Sequence, residues 1–130
     1  MIFDVSVALT ACANSETFLA GSVVKFTRIR SIVGINDISL LNSTGKFSCE
    51  EEGLYQISVS IVSKTVHSRY NIFKNNRLIS WTYVSDDDYI DTGTTVAAVE
   101  LKVNDTLWVM ANTDIIDYLG WSCVTIIKIK

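Results

Sequence analysis

The chain has 130 residues, 48% of them hydrophobic, and a formal net charge of −3, which is enough for one domain with a buried core. Its lysines and arginines are scattered and form no basic stripe, so nucleic acid is not an expected partner. No run of about 18 apolar residues occurs, so no transmembrane helix or membrane insertion is expected. The opening MIFDVSVALT lacks a charged n-region and a cleavage site and does not read as a signal peptide, although a mature domain behind an added methionine would look the same.

Taken in chain order, residues with β preference come in short runs broken by Gly, Asn, Asp and Ser, the pattern of an antiparallel sandwich or barrel. The pattern predicts strands over 3–10, 22–28, 46–49, 54–63, 70–74, 77–83, 95–103, 106–111 and 121–129, and no segment shows a helical apolar repeat. In TGKFSCEEEGLYQISVSIVS (44–63), Tyr55, Ile57, Val59 and Ile61 fall on one face and Gln56, Ser58 and Ser60 on the other, which makes the first face core. Lys74-Asn75-Asn76-Arg77 reads as a tight hairpin because Asn tolerates the positive φ of a two-residue turn. Asn104-Asp105 reads the same way, and with no proline in the chain the turns rely on Gly, Asn and Asp.

Catalysis finds little support. His67 is the sole histidine and is expected on the surface, no P-loop, G-x-S-x-G, H-E-x-x-H or dinucleotide fingerprint occurs, and the cysteines lack metal-ligand spacing. Three cysteines allow one disulfide with a free thiol, or three thiols, and the sequons at Asn42 and Asn104 tilt toward secretion. The acidic run Ser85-Asp86-Asp87-Asp88-Tyr89-Ile90-Asp91 offers several carboxylates to a hard cation, or else is a solvated loop. Trp81, Trp108 and Trp121, with Tyr83, Tyr89 and Tyr118, offer flat apolar faces for stacking on a sugar ring, but the tryptophans are placed in strands, where core or subunit-interface packing is expected. Tyr89 and Tyr118 fall in loops beside carboxylates, Asp117 among them, a combination suited to sugar hydroxyls or a protein partner.

The 44–63 stretch also resembles the G-K-F-x-C-x-x-x-G-x-Y-x-F pattern of the C1q globular-head domain. Gly45, Lys46, Phe47, Cys49, Gly53 and Tyr55 match it, while Glu52 and Ile57 stand where the family usually has Pro and an aromatic. VVKFTRI (23–29) resembles the family's opening strand, and VAAVELKVNDTLWV (96–109) resembles its v-L-x-L-x-x-G-D-x-V-x-v hairpin with Asn104 in the glycine's place. WSCVTIIKIK is the weakest match, with Thr125 at a near-constant glycine, and no Gly-X-Y segment precedes the domain.

The resemblance implies an all-β fold, an antiparallel jelly-roll β-sandwich of the C1q/TNF type with about ten strands, as a single C1q-like domain over 1–130. It implies a secreted, non-catalytic recognition domain: a homotrimer that binds carbohydrate or protein ligands multivalently, as in lectin-type innate immunity. The alternatives are a receptor-activating ligand of the TNF type and a structural coat or matrix protein. The trimer is expected to cover Val124, Ile126, Trp108 and Met110, read here as apolar positions on faces opposite the core. In calcium-binding members two aspartates near the trimer axis are ligands; Asp91 falls at one position and one of Asp86, Asp87 and Asp88 near the other. Because the family's first and last strands are antiparallel neighbours, Cys12 is expected to bridge Cys123, with Cys49 a buried free thiol. Gly53 is read as a residue needed for its flexible φ, and the glutamates before it as a solubilising turn.

Overall fold

The computed structural model describes residues 5–85 and 89–130. Eleven strands run in chain order: β1 (Ala8–Cys12), β2 (Thr17–Phe18), β3 (Arg28–Val33), β4 (Phe47–Ser48), β5 (Gly53–Ser63), β6 (Ser68–Lys74), β7 (Arg77–Ser85), β8 (Asp91–Leu101), β9 (Thr106–Ala111), β10 (Ile115–Ile116) and β11 (Cys123–Lys128). One short helix, α1 (Ser39–Thr44), lies between β3 and β4. A five-stranded sheet in the order β3-β1-β11-β5-β8 faces a four-stranded sheet in the order β4-β9-β6-β7, and β2 pairs with β10 as a small ribbon. All ladders are antiparallel. This is the expected all-β jelly roll.

The core follows from period-2 alternation on the facing strands. Tyr55, Ile57, Val59 and Ile61 of β5 are buried as their alternation requires, and Tyr70 and Ile72 of β6 and Leu107 and Val109 of β9 meet them from the other layer. Tyr70 carries a polar group into this interior. Its hydroxyl contacts the carbonyls of Val59 (3.2 Å) and Gly93 (2.9 Å) and the hydroxyl of Thr95 (3.3 Å), which knits β6 to β5 and β8. Burial pushes the Tyr70 phenol above its ordinary pKa. The phenol therefore stays neutral and able to donate.

Both predicted hairpins form. Lys74 pairs with Arg77 around Asn75 (φ 53°), and Asn104 (φ 76°) turns the chain between β8 and β9. Asp105 ties the two together, accepting from the Lys102 N–H (2.8 Å) and the Asn75 side-chain amide (3.1 Å). Those donors hold its carboxyl below the usual carboxylate pKa.

Several expectations change. The predicted strand over 22–28 is irregular except for the Val23–Met110 bridge, yet Val24 and Phe26 are buried and the Val24 N–H bonds the Val109 carbonyl. Of the strand predicted over 3–10, residues 3 and 4 lie outside the described residues, 5–7 are irregular and β1 runs over Ala8–Cys12, while Arg28–Val33 forms an edge strand. α1 has a single buried residue, Leu41, so one and a half turns leave no periodic signature. Val124 and Ile126 are core residues, 4% and 2% exposed; the outward positions of β11 are Cys123, Thr125 and Ile127, so the apolar outer surface is smaller than expected. Gly53 does not have a positive φ. It is needed because a Cβ would lie 2.5 Å from the Lys128 side chain and from the Lys130 carbonyl. The glutamates before it are more than solubilising: Glu50 accepts the N–H groups of Asn36 and Asp37, and Glu51 lies 3.6 Å from the Lys128 ammonium.

Tyr70→Phe is expected to lower stability by about 1–2 kcal/mol, because buried carbonyls lose a donor that no water replaces. Tyr83→Phe, at an exposed ring, is expected to leave it unchanged. Urea midpoints at constant slope compare the two variants.

Candidate functional site

The chain's ends lie together, Ala8 beside Ile127, so the loops of interest gather at the opposite end of the sandwich. At that distal end Ser63 closes β5 with two neighbours: Asp91 pairs with it on one side and Asp117 bridges to it on the other. This single residue brings the segment that carries Tyr89 and Asp91 to the same end as the 117–122 loop.

Asp117 turns inward. It is 4% exposed; its two carboxylate oxygens accept the backbone N–H groups of Ser15 (2.9 Å) and Ser122 (3.0 Å), and its own N–H bonds the Glu16 carbonyl. Satisfied amides compensate the buried charge. Asp117 thus holds the loop and does not present a carboxylate at the surface, unlike the role expected of it. Ser122 adds a second clasp through its hydroxyl, which accepts the Val62 N–H at 2.9 Å.

The loop held this way displays aromatic surface. Tyr118 meets Trp121 edge to face at 5.1 Å, and Trp121 is 57% exposed, outside β11 and outside the core. Gly120 (φ +74°) sits where a Cβ would come within 3.1 Å of both the Ala13 carbonyl and the Arg28 guanidinium, so neither the backbone nor the space favours a side chain. Arg28 donates to the Gly120 carbonyl at 2.7 Å. Arg30 falls in the irregular register between β1 and β3: Thr10 pairs with Ser31 and Ala11 with Ile29, leaving Arg30 as the extra residue of a bulge. Bulges re-aim side chains and recur near functional sites.

The other expected site residues lie nearby. Tyr89 is exposed, and Asp91 is exposed with one oxygen accepting the Thr92 N–H. Asp86, Asp87 and Asp88 lie outside the described residues. Among the described residues no three metal-ligating side chains cluster, so the fit to calcium rests here on one exposed carboxylate. His67 is exposed in a turn at φ 58°.

None of the three tryptophans is a core residue of the isolated chain. Trp108 stacks on Phe73 (4.6 Å) under the Lys46 ammonium and donates to the Asn75 carbonyl, so it is held in place. Trp81 is 61% exposed on the outer face of β7, edge to face with Tyr83, which Arg69 overlies. The arginines are not expected as site residues, and Trp121 is expected to pack rather than to bind. Their one signal in the sequence is Arg28-Ile29-Arg30 without a nearby carboxylate, which reads equally well as an ordinary strand.

Cys12 and Cys123 are bonded across β1 and β11, with Cα atoms 4.0 Å apart and 111 residues between them in sequence. Cys49 is a buried free thiol beside the Tyr55 hydroxyl.

A two-sheet sandwich with this strand order, its termini at one end and its loops at the other, defines a jelly roll of the C1q/TNF type. The chain belongs to the C1q domain family, whose model matches residues 6–123. The fold is similar to the globular domain of zebrafish complement 1qA (TM-score 0.79, 16% identity, covering 95% of this chain and 98% of that one). It is also similar to Eiger TNF from S. frugiperda (0.74, 13% identity, 98% and 94%) and to the PRD1 vertex protein P5 (0.68, 14% identity, 98% and 100%).

Replacing Cys12 and Cys123 with serine is expected to cost about 4–5 kcal/mol, the chain-entropy value for closing a loop of this length. Denaturant midpoints with and without reductant measure the loss, and a non-reduced digest should yield the Cys12–Cys123 peptide with Cys49 alkylated.

Proposed function

We propose that the protein is a secreted, non-catalytic recognition domain that assembles as a homotrimer and binds carbohydrate or protein ligands through its distal loops. The observation that carries this reading is membership of the C1q domain family together with exposed Tyr89 and Trp121 and half-buried Tyr118 at the end remote from the first and last strands' outer ends. Aromatic rings on a scaffolded loop offer rigid, amphipathic contact area at low entropic cost. The disulfide accords with an oxidising, extracellular setting. Three copies on one axis turn a weak single-site affinity into avidity. Exposed apolar residues such as Trp81, Tyr83 and Val96 give the trimer surface to cover.

Calcium belongs to the same reading, with Asp91 and the neighbouring Asp86 and Asp88 as its ligands. Carboxylates brought together around a threefold axis repel one another, and a cation relieves that repulsion. A receptor-activating ligand of the TNF type is the second reading, supported by the fold shared with Eiger TNF; a coat protein is the third, supported by the fold shared with vertex protein P5.

Sedimentation equilibrium is expected to give a trimer at micromolar concentration, and a stable monomer would remove the multivalent reading. A glycan array with calcium or chelator is expected to show binding, whereas tight binding to one cell-surface protein with a blank array favours the TNF type. Calcium is expected to raise the melting temperature of the wild type but not of Asp91→Asn; identical wild-type melts with calcium and with chelator would return the acidic run to a solvated loop.

A further inference from the structure

At the distal edge of the five-stranded sheet, between β3 and the loop ahead of β11, lies a shallow open hollow of about 490 Å³. It is lined by Arg28, Arg30, Gly120, Trp121 and the Cys12–Cys123 bridge. No carboxylate lines it. Among the described residues neither arginine forms an ion pair, although the chain as a whole is acidic. Arg28 uses one N–H to hold the Gly120 carbonyl, which orients its guanidinium and leaves its other donors to the hollow. Arg30 is exposed and, as the extra residue of the bulge, has no cross-strand partner. Asp117, the acid nearest to Trp121 in sequence, is buried with both oxygens engaged by backbone N–H groups and makes no ion pair with either arginine.

Trp121 supplies the second half of the site. Its indole is 57% exposed, and Tyr118 braces it from the side. Guanidinium groups favour an anion with several oxygens, which they grip through paired N–H donors. A flat indole beside them favours an apolar ring face. A free inorganic anion would use the first and leave the second idle.

We propose that this hollow binds an acidic saccharide, the guanidinium groups of Arg28 and Arg30 holding its carboxylate or sulfate and the indole of Trp121 covering its sugar ring. The assignment rests on the recognition reading above and narrows its ligand class.

The test is isothermal titration of the full chain with lactose, 3′-sialyllactose and 3′-sulfolactose, which share a neutral core and differ in the acidic group. Both acidic sugars, or one of them, are expected to bind at least about tenfold more tightly than lactose, and Arg30→Ala is expected to remove about that factor. Arg28→Lys, which keeps the charge but loses the fork, is expected to weaken the same ligands, and raised salt to weaken them further. Arg30→Ala should melt and sediment like the wild type. Lactose binding as tightly as the acidic sugars would overturn the assignment while leaving carbohydrate recognition standing. Acidic-sugar binding that survives Arg30→Ala undiminished would overturn it as well. A tetraglutamate peptide that binds as tightly as the sugars would make the hollow a peptide contact instead, and dissociation of the assembly by Arg30→Ala would make it a subunit contact. Absence of binding by all three sugars, with a protein ligand still bound, would remove the assignment together with the carbohydrate reading.

Discussion

The structure depends on where its last strand lies. β11 does not extend an edge; it fills the middle of the five-stranded sheet, between β1 and β5, so the sheet is continuous only when the two ends of the chain have met. Val124 and Ile126 then complete the interior begun by Tyr55, Ile57 and Val59, and Cys12 is bonded to Cys123 at the start of the same ladder. The disulfide and the core therefore restrain one pairing. Loop closure over 111 residues is entropically costly, and the covalent bridge places part of that cost in the unfolded state.

That pairing also determines what the distal end can display. Residue 122 follows directly from the clasp at Asp117 and precedes β11, so a loop pinned by Ser15, Glu16 and Val62 has only four residues in which to turn. Leu119 and Gly120 take the positive φ values that the turn needs, and Trp121 is pushed to the surface with half-buried Tyr118 against its edge. A buried carboxylate thus produces an exposed indole braced by a half-buried tyrosine. The polar groups that hold the loop are paired, so its turn is specified by the same bonds that bury Asp117.

What the sequence disclosed follows a physical division. Strict alternation in β5, the Asn turns at 75 and 104, and the β9 boundaries were legible because each depends on local chemistry. The fold and the Cys12–Cys123 pairing were legible through ordered family motifs. The facing of β11 was not, since Val124, Ile126 and Ile127 present apolar groups to both sides and alternation alone gives no phase. Asp117 was misread because a carboxylate beside a tyrosine looks the same whether solvent or buried amides receive it. Gly53 was attributed to backbone freedom when the reason is a neighbour 2.5 Å away, a fact of tertiary packing. The arginine pair was invisible because its meaning lies in the absence of acidic neighbours, which only a folded surface reveals.

The two sheets finish at unlike margins. β3 ends one sheet with Arg28 and Arg30, charges that discourage another strand from adding there, whereas β7 ends the other with Leu78, Trp81 and Tyr83 all substantially exposed. Apolar exposure is not confined to β7, since Ile32 and Val33 of β3 and Val96 of β8 are open as well, but β7 is the edge strand that carries exposed aromatic rings. Colloidal behaviour of the isolated chain should follow that margin, and a charged residue at Trp81 is the place to improve solubility without touching the arginine-lined edge.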